Sequence, residues 1–142
     1  MRIRTFLIIY AFLFLPLCMC SSSSTSQDYS RVIPATEKQI NHIKEGLEEG
    51  FSISNEYAIK SNDFKKVNFV ACNLNGPGVS DAVAVWAITG DPDEPGMIVC
   101  ADHTAKEFSV YPLGSKTKAE ISMADEGARI VEEYLRKKLY LK

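Results

Sequence analysis

This chain of 142 residues lacks a basic excess: sixteen Lys and Arg stand against eighteen Asp and Glu, a formal net charge of −2. That balance cannot hold a phosphate backbone, so nucleic acid is excluded as a partner on charge. Only two histidines occur, His42 and His103, and the four cysteines contain no C-x-x-C pair. Zinc spacing is therefore missing. No P-loop, G-x-G-x-x-G or G-x-S-x-G pattern is present, so no cofactor is expected and no catalytic residue is assigned. The chain also lacks a hydrophobic run long enough to stay in a bilayer. Its longest is "TFLIIYAFLFLPL", thirteen uncharged residues from Thr5 to Leu17. About 20 apolar residues are needed to cross the hydrocarbon core.

That short run follows Arg2 and Arg4 and carries Pro16 near its end. A basic flank, a brief apolar stretch and a helix breaker are the parts of a secretory leader. Residues 1–20 read as a signal peptide, 21–34 as a flexible Ser-rich tether and 35–142 as a single domain. Losing residues 1–20 removes both arginines and leaves fourteen basic residues against eighteen acidic ones, a net charge of −4. A domain of that charge is expected to have no basic patch of its own for anionic headgroups, so a hold on the membrane has to be covalent.

Two processing routes remain open. In the first, cleavage falls just before a cysteine whose thiol takes a diacylglyceryl group. Cys20 is the first choice because "SSSSTS" follows it, and Cys18 is the alternative. Each buried CH₂ of an acyl chain adds about 0.8 kcal/mol, so two or three chains hold firmly. The bilayer is then one partner, through the acylated N-terminal Cys. In the second route an ordinary signal peptidase cuts at small residues and the product is soluble. Met19 before Cys20 and Leu17 before Cys18 depart from the small residue that the lipid signal calls for.

The folded part alternates in period. "ATEKQINHIKEGLEEG" predicts a helix to Gly50, with a Thr36/Gln39 capping box and Ile40, Ile43 and Leu47 on one face. Strands are predicted at Lys66–Leu74, Val79–Thr89 and "MIVCA", with a short fourth from Lys106 in "KEFSVYP". The turns "NGPG" (75–78) and "GDPDEPG" (90–96) separate them. Ser122 is expected to cap a last helix whose inner stripe is Ala124, Ala128, Val131 and Leu135. The fold class is thus α+β: a four-stranded antiparallel meander between an N-terminal and a C-terminal helix, in the order α-β-β-β-β-α. "AVAVWAI", Ala82–Ile88, is apolar on both faces, which fits a central strand covered on both sides.

Cys72 and Cys100 fall on the first and third of these strands. Two strand steps are about 9.6 Å, beyond the ~7 Å that a disulfide spans. Folding about "NGPG" sets Cys72 near Asp81, and folding about "GDPDEPG" sets Cys100 near Trp86. Two free buried thiols are expected, and no disulfide.

Chemistry-bearing residues are few. Asp102 and His103 sit together on a turn, where Ser80 or Ser109 would have to supply a nucleophile. His42 falls on the polar side of the first helix. Asp91, Asp93 and Glu94 crowd one turn, but the D-x-D-x-D-G calcium pattern is missing and no metal is expected. Trp86, Asp91, Asp93, Glu94 and His103 are the candidate interaction surface.

The segments "VAVWAI", "AKEFSVYP" and "KTKAEISMADEGA" resemble, in order and spacing, a family of small exported bacterial proteins, many of them lipoproteins. The likeness spans about Tyr57 to Leu135. It implies export and one domain, and brings no catalytic residues with it. The expectation is a lipid-anchored, non-enzymatic domain of the cell envelope that meets an envelope protein or polymer. The alternatives are a secreted inhibitor or immunity-type protein, and a small envelope hydrolase using Asp102 and His103.

Overall fold

The computed structural model describes residues 27–141. The leader and the candidate acylation sites Cys18 and Cys20 lie outside the described residues. The domain is α+β, with five strands in an antiparallel meander, β1 (Ile33–Pro34), β2 (Ser52–Lys60), β3 (Val67–Gly76), β4 (Val79–Asp91) and β5 (Glu94–Cys100), in that spatial order. Helices α1 (Glu37–Lys44) and α2 (His103–Glu107) cover one face, and α3 (Glu126–Tyr140) covers the other. Among the described residues no helix is long and apolar enough to cross a membrane.

β4 explains the layering. Val83, Val85 and Ala87 join Val67, Phe69, Ala71 and Val99 under Ala128, Val131 and Leu135 of α3. Ala84, Trp86 and Ile88 join Val70, Cys72, Leu74 and Ile98 under Ile43 of α1 and Ala105 of α2. A strand apolar on both faces needs a layer on each side. β4 is thus an interior strand covered on both sides, as its composition requires.

Several expectations are corrected. The sheet has five strands, not four: β1 and β2 are both additional to the expectation, and the strand expected from Lys106 does not form. β2 hides because Asn55, at φ 50, sits where the register shifts between Ser54 and Tyr57. The bulge puts Ile53 and Ala58 in the same core although they are five residues apart, which breaks the period of two. At the predicted fourth strand, Asp102 accepts a hydrogen bond from the Ala105 N–H and caps α2 instead. The chain then runs on through isolated bridges, Leu47 with Ser109 and Cys100 with Leu113.

The helix boundaries shift for similar reasons. The Thr36/Gln39 capping box forms as expected. α1 ends at Lys44, well before Gly50, because the following backbone turns outward to pair with the 108–110 segment. Glu48 N–H bonds Phe108 O and Val110 N–H bonds Gly46 O. Gly46 is required there, since a Cβ would lie 2.3 Å from the Tyr111 ring. At α3 the cap is Asp125, not Ser122. Asp125, 2% exposed, accepts from Gly127 N–H (2.7 Å) and from the Ser61 hydroxyl (2.5 Å), and so ties the β2–β3 loop to the helix. Ala124 is left exposed ahead of the cap.

The turns are tighter than expected. β3 and β4 join through Pro77–Gly78, with Gly78 at φ 73, and Asp81 bulges at φ 54. That moves Cys72 opposite Ala84, three residues past the expected Asp81, while Cys100 does stand opposite Trp86. Most of 90–96 is strand, turning only at Pro92–Asp93. The supposed tether also ends early: Tyr29 and Val32 pack on the α3-side core and Ile33–Pro34 pair with β2.

The stripe assignment can be checked directly. Leu135→Ala is expected to lower unfolding free energy by about 2–5 kcal/mol. Ala124→Ser should stay within about 0.5 kcal/mol. Urea denaturation of both variants measures this, and equal losses would contradict the observed helix start.

Candidate functional site

The residues singled out from the sequence scatter. Trp86 is fully buried and its Nε1–H donates to Ser109 Oγ at 3.3 Å. It is a core anchor and is removed from the candidate interaction surface; its place on the central strand makes it so. Ser109 is buried too, donating to Ala105 O at 2.6 Å and lying 3.3 Å from Cys100 Sγ. Asp102 spends its carboxylate on the Ala105 N–H at 2.8 Å, while His103 is exposed at the first position of α2. Ser80 is exposed at the start of β4. The imagined Ser-His-Asp arrangement is not assembled.

Asp91, Asp93 and Glu94 are exposed on the β4–β5 hairpin. Their backbone is clasped by α1: Thr36 Oγ1 donates to Pro92 O (2.8 Å), Lys38 Nζ to Asp93 O (2.6 Å), and His42 Nε2 lies 2.7 Å from Gly96 O. His42 is thus half-buried between the hairpin and Tyr111, whose hydroxyl donates to His42 O, and does not stand free in solvent. Among the described residues no three His, Cys, Asp or Glu side chains group to hold a metal.

The more informative grouping lies at the opposite end of β4. Asn73 stands at the end of the core-facing row of β3, 3% exposed. Its Nδ2 donates to Asp81 Oδ1 at 2.8 Å, and its Oδ1 has no partner. The amide cannot be turned over, because a carboxylate accepts only from the NH₂ side. Asp81 is held in its left-handed conformation by a second asparagine, whose Oδ1 accepts the Asp81 N–H at 2.9 Å. Asp tolerates that region better than most residues, at a cost near 1 kcal/mol.

These groups line a pocket of about 480 Å³ together with Ser80, Val83 and, from α3, Arg136, Leu139 and Tyr140. Arg136 gives Nε (3.0 Å) and Nη2 (2.7 Å) to Glu132 Oε1, and its Nη1 takes no part in that pair. The pocket therefore offers acceptors on one side, a guanidinium on the other and two aliphatic walls. Sequence reading passed over Asn73, Asp81 and Arg136. The available signal was Asn73 near the end of the apolar run of β3 and Asn75 two positions on, both just ahead of a Pro-Gly turn.

A second polar residue, Gln39, is 1% exposed, with Nε2 unpartnered while Oε1 completes the capping box. It borders a smaller pocket of about 240 Å³ beneath Arg31, Lys60 and Lys66. Arg31 is already committed there, to Lys60 O and Asn62 Oδ1.

Two titrating environments can be measured. Burial raises the Asp102 carboxyl to about 6, against the Ala105 hydrogen bond that lowers it; Glu132 adds to the rise and Arg136 opposes it. The folded state keeps this proton where the unfolded chain has released it. The stabilisation is full below about pH 4 and lost as pH climbs to about 6, roughly 3 kcal/mol for two units. Asp102→Asn, still a good cap, should remove this slope. Its stability relative to wild type should grow by about that amount between pH 4 and 7 in urea titrations, and parallel pH profiles would refute the assignment.

Cys72 and Cys100 are free and buried, on the same face of strands separated by β4. Burial raises both thiols, Cys72 well above its usual value. Neither should react with maleimide in native buffer near pH 7, and both should react in denaturant. Mass shifts read the result; rapid native labelling of either would contradict the packing. Comparison of the chain with protein-family models, curated proteins and solved structures found no match.

Proposed function

We propose that this chain is an exported bacterial lipoprotein, acylated at Cys20 with Cys18 as the alternative, whose α+β domain binds an envelope protein or polymer without catalysis. The leader, the serine run and the resemblance to small exported bacterial proteins support the location. The binding reading rests on one observation: Asn73, whose buried side-chain oxygen has no partner, lines the Asp81–Arg136 pocket. An unmet buried acceptor costs about 1–3 kcal/mol, and an apolar residue there would avoid it. Such a group is retained against stability where a ligand donor completes it.

The pocket's chemistry selects the ligand class. Asn73 Oδ1, the Asp81 carboxylate and the Ser80 hydroxyl call for hydroxyl or ammonium donors, and Arg136 receives an acidic group. Amino- and hydroxyl-bearing envelope polymers carry these groups. The alternative of a hydrolase is disfavoured by the use of Asp102 as a helix cap and by the burial of Ser109.

Asn73→Leu separates the roles. Stability is expected to change by no more than about 1 kcal/mol, because losing the unmet acceptor offsets losing the Nδ2–Asp81 hydrogen bond, while retention on purified cell-wall polymer or solubilised envelope falls at least about tenfold. Loss of stability with unchanged retention would assign Asn73 to the fold alone. Mass spectrometry of the mature N-terminus tests location: an acylated cysteine is expected, whereas a plain serine start favours the secreted inhibitor.

A further inference from the structure

The chain joins the fold beside the last turns of α3. The Tyr29 ring lies 5.6 Å from Tyr134, and its hydroxyl donates to Glu133 Oε1 (2.8 Å) and accepts from Lys137 Nζ (2.5 Å). The Lys137 ammonium stands 4.8 Å over the Tyr29 ring, and that of Lys138 stands 5.5 Å over Tyr134. With Leu141 these side chains line an open pocket of about 470 Å³. Tyr140 and Leu141 are consecutive and exposed, at 83% and 84%.

Tyrosine rings, lysines on long stems and a bare leucine are what a membrane–water interface takes up. We propose that this end of α3 is a membrane-facing surface, resting on the anionic headgroups of the bilayer that holds the anchor. The inference rests on the anchoring reading above and adds an orientation to it.

Covalent geometry narrows the choice of face. Six residues, 21–26, separate Cys20 from Gln27. Seven residue steps span at most about 25 Å, little more than the ~22 Å length of a 15-residue helix. With Cys20 at the bilayer, only surfaces near Gln27 and Tyr29 can face it. Two such surfaces adjoin. One carries Asp28, Glu126 and Glu133 against Arg31 and Arg129, and an anionic surface repels its acids. The other carries Lys137 and Lys138 with Tyr134 and the exposed Leu141. The net charge of −4 conceals this because α3 sorts its signs along its length.

Glu132 and Glu133 offset Arg136 and Lys137 through pairs at 2.7 and 2.9 Å. The remaining attraction is too weak to recruit a free domain. For an anchored one it amounts to a bias of about tenfold in orientation, weakened by salt.

The test uses the mature acylated chain in vesicles containing phosphatidylglycerol and bromine-labelled acyl chains, which quench nearby tryptophan. Trp86 is fully buried and supplies a constant background. Leu141→Trp places a reporter on the proposed surface. Glu94→Trp places one on the β4–β5 hairpin, at the other end of the sheet from the Arg136 pocket.

Quenching at position 141 about twofold or more above that at 94 is expected. It should fall in zwitterionic vesicles, in 0.5 M salt and on adding Lys138→Glu. Equal quenching at both positions, or none at 141, overturns the proposal, including the case where a protein covers this face instead. If the mature chain carries no acyl group, the anchoring reading fails by itself. The surface is then tested by coupling a chain that begins at Cys20 to a maleimide lipid, with Cys72 and Cys100 shielded in the core and the same two outcomes deciding.

Discussion

The two-sided burial of β4 is the constraint on which the rest of the structure depends. Val83 to Ile88 are six consecutive buried residues, and a strand of that kind is stable only with a covered sheet on either side. α3 seals one face with a regular amphipathic stripe. The other face is wider than α1 alone can cover. α2, Phe108, Tyr111 and Leu113 complete it, with Ala105 fully buried among them. The segment from Asp102 to Leu113 therefore serves as a lid over Trp86 and Cys100 and does not extend the sheet.

Covering that face determines where backbone hydrogen bonds go. Beyond Lys44 the carbonyl of Gly46 and the N–H of Glu48 leave the helical pattern to meet Val110 and Phe108. α1 is thereby short, and its exposed polar side chains are free to hold the β4–β5 hairpin through Pro92, Asp93 and Gly96 carbonyls. On the α3 side Asp125 plays the corresponding part, joining a helix N-terminus to the loop after β2 through Ser61 and Asp63. The hairpin carbonyls and the N-terminus of α3 are thus met by polar groups of the fold itself.

The Pro77–Gly78 end differs. There two asparagines hold Asp81 in a left-handed turn, and one of them keeps a buried oxygen unmet beside a pocket that α3 closes with Arg136. Each end keeps one unmet buried polar atom, Gln39 Nε2 by the β4–β5 hairpin and Asn73 Oδ1 here, but Arg31 beside the first is committed to Lys60 and Asn62, whereas Arg136 keeps Nη1 outside its pair with Glu132. That difference makes this end the better place for recognition, and the same last turns of α3 carry the exposed Tyr and Lys side chains that adjoin the start of the described chain.

What was legible in the sequence is what local physics decides. The Thr36 capping box, the apolar β3 and β4, the pairing of Cys100 with Trp86 and the stripe of Ala128, Val131 and Leu135 all follow from spacing and side-chain type within a few residues. Where residues answered to distant partners, reading failed. β2 was hidden by a bulge at Asn55 that only its pairing with β3 reveals, and the segment from Asp102 to Leu113 left the sheet to cover Trp86 and Cys100. Nothing local marks Asn73: Asp81, eight residues away across a tight turn, takes its amide, and its oxygen is left bare. By itself the sequence determined the α+β class and the need for cover on both faces, because periodicity and hydrophobicity are local properties. Tertiary structure alone decided which polar atoms end unpartnered and which charges cluster at one end of α3, because both depend on what the folded chain brings within a few ångströms.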